Sequence, residues 1–130
     1  MKVTGKFEVE LNPLETYAQG KDEINLGRMS IDKTFSGELE ASSCGEMLTA
    51  MTPVQGSAGY VAIEQVSGSL SGKRGSFVLQ HFGIMNMGSD RLLLEVVPGS
   101  GTGQLSGLSG EMAIRIEDGQ HYYDFEFELA

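Results

Sequence analysis

The sequence predicts an all-β fold: a closed antiparallel barrel of about eight strands, formed by one domain that spans residues 1–130. Apolar and polar residues alternate along several runs of the chain, which is the period of a strand with one buried face. Short turn signals rich in glycine and serine separate these runs, as in an antiparallel meander. No long amphipathic helix is available to cover an open sheet, and this favours closure into a barrel.

The first half of the chain predicts three strands. The clearest is Val3–Leu11, in which every second residue is polar, and Asn12-Pro13 is expected to end it. The segment that follows has the composition of a loop or a short helical turn. Two less regular strands are predicted from Ile24 to about Phe35 and from Gly37 to about Met51, although residues 46–51 include enough good helix formers to make a short helix the competing interpretation.

The second half is more regular and predicts five strands joined by short turns. The strand-like runs are Tyr60–Leu70, Gly75–Met87, Arg91–Val97, Leu105–Glu117 and Gln120–Leu129. The turn signals between them are Ser71-Gly72-Lys73, Gly88-Ser89, Pro98-Gly99-Ser100-Gly101 and Asp118-Gly119.

The last turn signal fixes the register of the final hairpin. Asp118-Gly119 is typical of a two-residue type I′ turn, and such a turn pairs Ile116 with His121 and Ile114 with Tyr123. One face of this hairpin is then almost wholly apolar, so it is predicted to face the interior. The two strands would carry His121 and Tyr123 inward near the turn, where both are candidate ligand contacts.

A second hairpin places a carboxylate and an imidazole on one face. A turn centred on Gly72-Lys73 would pair Val66 with Leu79 and set Glu64 directly across from His81. Burial should raise the pKa of that carboxyl, unless a protonated imidazole beside it offsets the effect. Glu64 and His81 are therefore the candidate catalytic pair, because no other constellation in the chain is suited to proton chemistry.

Aromatic residues on the same face complete the predicted interior site. Tyr60 and Phe77 share the phase of Glu64 and His81, and we expect them to line a wall that a ligand could contact. The structural alternative is that Glu64 and His81 form a satisfied buried pair that only fixes strand register.

The opposite face of these central strands is also apolar, and it predicts self-association. A soluble monomer rarely exposes so much contiguous apolar surface, and no helix is predicted to cover it. We therefore expect a homo-oligomer, most simply a two-fold dimer, that buries this face. The residues concerned are Val61, Ile63, Val78, Phe82, Ile84 and Leu93.

Composition narrows the classes of function. The net charge of −9 and the scattered lysines and arginines disfavour nucleic-acid binding. The lone Cys44 cannot form an internal disulfide, and no Cys/His spacing indicates a metal site, so neither a metal nor another cofactor is predicted. No apolar signal segment follows Met1, and no stretch approaches the ~20 apolar residues of a membrane span. These features predict a cytoplasmic protein.

Several of these runs carry a family resemblance. Gly101–Gly110 resembles the Gly-Thr-Gly strand motif of the allene oxide cyclase and dirigent barrels. With Tyr60–Glu64, Gly75–His81 and Val97–Gly103, the chain is similar to the bacterial family called domain of unknown function 3224. The resemblance implies an allene-oxide-cyclase-like barrel over nearly the whole chain. It implies no activity, and the catalytic residues of the cyclase have no clear counterpart here.

Three hypotheses of function follow. The leading one is a binding module whose interior holds a small, mostly apolar molecule, oriented by the inward polar groups. The second is an isomerase or cyclase that moves protons with Glu64 and His81 as an acid/base pair. The third is a structural or interaction subunit that acts through the apolar outer strand face.

Overall fold

The computed structural model describes all residues, Met1 to Ala130, and confirms the all-β barrel. Each strand pairs antiparallel with the next along the chain, and the eighth pairs with the first to close the wall. The one helical segment is a short 3-10 turn at Gly103–Leu105, and no helix could cross a membrane. The strands are β1 Lys2–Leu14, β2 Asn25–Gly37, β3 Leu39–Met51, β4 Ala58–Leu70, β5 Lys73–Asn86, β6 Ser89–Val96, β7 Leu108–Glu117 and β8 Gln120–Leu129.

The ends of β1 and β7 differ from the sequence prediction, and the competing helical interpretation of residues 46–51 is excluded. β1 continues through Pro13, because β1 pairs with β8 only as far as Phe7 and a proline is tolerated where a strand has one neighbour. Residues 46–51 are extended rather than helical, since β3 pairs with β2 and β4 along this stretch. β7 begins at Leu108 rather than Leu105, because the amide of Leu105 donates to Thr102 O in the 3-10 turn.

The structure confirms the predicted register of the final hairpin but not that of the β4–β5 hairpin. Asp118 and Gly119 both adopt positive φ, and the predicted pairing of Ile116 with His121 is confirmed. The second turn lies at Ser71-Gly72, one residue earlier than predicted, so Glu64 pairs with Leu79 and not with His81. That part of the prediction was wrong because Ser71, with φ of 49°, takes the first left-handed turn position ahead of Gly72. The error shifts the register by two residues, which leaves every side chain on its predicted face.

One end of the barrel is closed by a packed apolar core. Phe77 and Phe125 stack with ring centroids 5.7 Å apart, and Leu105 of the 3-10 turn is buried against the same cluster. The segment after β6 runs along β5 here, where Ser100 Oγ accepts from the amide of Val78 at 3.0 Å. The segment at Pro98–Gly101, predicted to be a turn, therefore also extends the wall along β5.

The other end is open between β6 and β7. These strands pair only at Leu94–Met112 and Glu95–Glu111, so residues 89–93 and 113–117 do not continue the ladder. Leu92 and Ile116 lie on the inward phase of their strands yet are 42% and 66% exposed. The strand pairing of the wall is therefore interrupted here, beside apolar side chains on the inward phase.

The apolar outer face is present as predicted on β4, β5 and β6. Val61 and Ile63 are each 49% exposed, and Phe82 and Leu93 are each 43% exposed. Beside them lies a groove of about 640 Å³ whose lining includes Leu48, Val61 and Ile63.

Candidate functional site

A buried cluster of three titratable side chains crosses the interior of the barrel. Glu64 Oε2 accepts from Lys33 Nζ at 2.8 Å and lies 2.5 Å from Nε2 of His81. Glu64 is completely buried, while Lys33 and His81 are 6% and 4% exposed. The structure therefore brings the two predicted catalytic candidates together and adds a lysine that the sequence analysis had not placed there.

The strand register explains why these three side chains meet. Ala62, two residues from Glu64, pairs with His81, so the carboxylate and the imidazole are diagonal neighbours on one face of β4 and β5. Lys33 lies on β2, which is separated from β4 by β3. It reaches Glu64 because β3 presents only the small residues Ser43 and Gly45 at this level.

Gly45 is required by the close approach of Glu64. A Cβ at Gly45 would lie 2.1 Å from Ile63 O and 2.6 Å from the Cα of Glu64. Any larger residue would push β4 or the Glu64 side chain away from Lys33.

The charge of Lys33 and the His81 hydrogen bond keep the Glu64 carboxyl ionised. Burial alone raises its pKa and is the largest single influence. The hydrogen bond to His81, the charge and hydrogen bond of Lys33 and the nearby Ser43 hydroxyl together outweigh burial, so the pKa falls from the ordinary 4.5 to about 2. An ionised carboxylate can only accept, and His81 Nε2 must therefore carry the proton that it shares with Oε2.

Two buried polar atoms at the cluster, one on Glu64 and one on the neighbouring Ser43, lack a hydrogen-bond partner. Glu64 Oε1 and Ser43 Oγ are both shielded from solvent and neither makes a hydrogen bond within the protein. The Ser43 hydroxyl lies near enough to the carboxylate to help lower the Glu64 pKa, but it does not reach hydrogen-bond geometry. Both donors of the cluster bind Oε2, so the other carboxylate oxygen is left free.

Tyr60 lies between the cluster and the open end. Its ring centroid is 6.3 Å from that of His81, and the ring lies over Gly83, where a Cβ would come within 2.4 Å of a ring carbon. Burial and then the charge of Glu64 raise the pKa of the Tyr60 hydroxyl, so it is a neutral donor at physiological pH. Tyr60 therefore lies beside the cluster, at the level of Leu92 where the β6–β7 pairing is interrupted.

The other three predicted ligand contacts lie elsewhere. Phe77 belongs to the closed-end core, 1% exposed. Tyr123 is fully buried, and its hydroxyl accepts from the amide of Leu39 and donates to Ser36 O, so it holds the β2–β3 turn. His121 packs against Phe7 at the edge of an outer groove of about 570 Å³. None of these side chains contacts Glu64 by a hydrogen bond.

Sequence reasoning missed Lys33 and Ser43. Lys33 stands between Ile31 and Phe35 at the inward phase of β2, and a lysine in such a position indicates a buried cation that needs a carboxylate. Its ammonium also lies 4.9 Å from the centre of the Phe7 ring. Ser43 gave no comparable signal.

The outer surface has no second buried cluster, and the three-residue ion-pair group that Arg115 forms with Asp124 and Glu117 is exposed to solvent. The principal surface grooves are not lined by Glu64 or Tyr60, and no group of three His, Cys, Asp or Glu side chains is arranged to hold a metal ion.

Fold and site together define a class of protein: a closed β-barrel with a buried cluster of charged and titratable side chains in its interior. The chain belongs to the family of proteins of unknown function called DUF3224, whose model matches residues 3–127. It is similar to a DUF3224 protein of unknown function from Shewanella oneidensis MR-1, whose crystal structure has been solved. The two share 66% sequence identity, with a TM-score of 0.98 over 100% of this chain and 97% of that one. No curated protein matches this sequence.

Proposed function

We propose that the barrel binds a small, mostly apolar molecule in its interior, with Glu64, His81 and Lys33 as the polar anchor. The observation that carries the proposal is the free oxygen of Glu64: Oε1 is ionised, fully buried and without a hydrogen-bond partner. A buried polar atom without a partner costs free energy, and a ligand that donates a hydrogen bond to it regains that energy on binding.

The surroundings of the anchor fit an apolar ligand. Met29 and Met47 face each other across β2 and β3 on the inward phase, and both are partly exposed. Methionine side chains adapt readily to different ligand shapes. In this proposal the ligand enters where the β6–β7 pairing is interrupted, beside the exposed side chains of Leu92 and Ile116.

The low pKa of Glu64 favours binding over acid/base catalysis. A carboxylate with a pKa of about 2 is a weak base at neutral pH, because it holds a proton poorly in the transition state. Glu64 is better suited to accept hydrogen bonds than to remove protons. Proton transfer through His81 remains the second hypothesis. It requires a substrate that reaches the ring past Tyr60.

Methyl NMR with [13C-methyl]methionine tests interior binding. We expect toluene, a small apolar probe, to shift the methyl signals of Met29 and Met47 in a saturable way. Met1 and Met87 are 69% and 76% exposed and serve as internal controls that should not shift. The absence of saturable shifts at Met29 and Met47 for toluene, phenol and benzoate alike would overturn the proposal.

A pair of variants locates the bound probe. Ala62 is buried on the inward phase between Met47 and His81, so Ala62→Leu should fill the interior and abolish the shifts. Ala113→Leu adds the same bulk on the exposed face of β7 and should leave them intact. Equal binding in the two variants would place the probe outside the barrel.

The outer apolar face supports a second proposal, that two copies of the chain associate through β4, β5 and β6. Between two chains of net charge −9, a stable contact requires a patch of low charge. Val61, Ile63, Phe82 and Leu93 provide such a patch, with Gln65 and Gln80 beside it, and charged residues border it at Glu46, Arg91 and Glu95. This surface is the working face in the interaction-subunit hypothesis.

Light scattering coupled to gel filtration tests the association. We expect the wild type at micromolar concentration to have twice the mass of one chain and Ile63→Lys to have the mass of one. A wild type that elutes as a single chain would refute the dimer.

A further inference from the structure

The two unpartnered atoms in the interior differ in what they require. Glu64 Oε1 belongs to an ionised carboxylate and can only accept a hydrogen bond. The Ser43 hydroxyl can donate or accept, and it is also fully buried without a partner. A single ligand group that both donates and accepts would satisfy the two atoms at once.

The charges of Lys33 and Glu64 limit the net charge that the ligand group can carry. Lys33 carries one positive charge and Glu64 one negative charge, and His81 donates to the same oxygen as Lys33. The charges of Lys33 and Glu64 therefore balance each other, so this ion pair offers no free counter-charge to a charged ligand group in the buried site.

We propose that the interior ligand is a neutral alcohol or phenol, whose hydroxyl donates to Glu64 Oε1 and accepts from the Ser43 hydroxyl. This inference rests on the proposed interior binding and adds the class of ligand. A ligand carboxylate would face the Glu64 carboxylate. A ketone, ether or ester has no hydrogen to donate to Oε1. An ammonium group would donate, but it would add a second positive charge beside Lys33.

Three probes of similar size separate these classes: phenol, toluene and benzoate. Toluene replaces the hydroxyl of phenol by a methyl group and is the more apolar of the two, so burial alone favours toluene. The hydrogen bond to an ionised acceptor should reverse this order and make phenol bind roughly tenfold more tightly. The dissociation constants are measured from the Met29 and Met47 methyl shifts.

Ser43→Ala tests the site itself, because it removes the donor to the ligand oxygen and leaves the Lys33–Glu64 pair in place. We expect it to weaken phenol several-fold and to leave toluene unchanged. Ser42→Ala alters the exposed neighbour on the other face of β3 and should change neither probe. Glu64→Gln should remove the preference for phenol, and circular dichroism checks that each variant is folded.

The outcomes distinguish the inference from the proposed function. Toluene or benzoate binding as tightly as phenol would overturn the alcohol assignment and leave interior binding intact. If none of the three probes binds, both fail. A crystal structure grown in phenol that shows an ordered water only, between Ser43 and Glu64 Oε1, would also overturn the assignment.

Discussion

The ionised state of Glu64 should make the barrel sensitive to acid in a way that one substitution removes. Its pKa is about 2 in the folded protein against an ordinary value of 4.5, so the unfolded chain binds the proton first as the pH falls. This contribution to the free energy of unfolding is fully present above about pH 5.5 and is lost toward pH 2. Linkage over that shift gives a loss of roughly 2 kcal/mol by pH 3.

The assay compares urea unfolding of the wild type and Glu64→Gln between pH 5.5 and pH 3. The difference in their free energies of unfolding should fall by about 2 kcal/mol across this range, because only the wild type has the buried carboxylate. Glu46→Gln is the control, at an exposed glutamate paired with Arg28. The difference in free energy of unfolding between it and the wild type should stay nearly constant over this range. A difference between wild type and Glu64→Gln that is constant with pH would mean that the Glu64 pKa is not lowered.

Three further substitutions test the packing around the cluster by urea unfolding at neutral pH. Lys33→Met should lower the free energy of unfolding by about 3–5 kcal/mol, because it leaves the Glu64 charge buried without its cation. The double variant Lys33→Met with Glu64→Leu should recover most of this loss. Equal stability of the single and double variants would argue against the ion pair. Tyr123→Phe should cost about 1–3 kcal/mol by leaving the buried Leu39 amide unpaired, and a neutral effect would show that this hydroxyl does not hold the turn. Gly83→Ala should cost about 1–3 kcal/mol, because the new Cβ displaces the Tyr60 ring, and unchanged stability would contradict the observed ring position.

The strands and their faces could be predicted because alternation is a local property of the chain. The final hairpin was correct down to its register, since Asp118-Gly119 leaves one choice of turn. The Ser71-Gly72-Lys73 signal allowed two turns that differ by one position. The structure has the earlier turn, in which Ser71 adopts a positive φ. Because the register differs from the predicted one by two residues, Glu64 and His81 still share a face of the sheet, as predicted.

The remaining parts of the site depend on contacts that no local pattern contains. Lys33 meets Glu64 across an intervening strand, and this is feasible only because Ser43 and Gly45 leave room on β3. The inward phase of Lys33 was visible in the sequence, but the identity of its partner required the strand order and register of three strands. Tyr123 has the same inward phase as the site residues, and only the structure shows that the β2–β3 turn uses its hydroxyl.

Carboxyl 13C NMR of Glu64 tests most directly whether a charged carboxylate is held inside the barrel. Its Cδ signal should keep the chemical shift of the ionised form from pH 7 down to about pH 3, well below the ordinary glutamate pKa of 4.5. Protonation of Glu64 at or above that value would show a neutral acid in the interior. The anchor proposed for the ligand would then not exist.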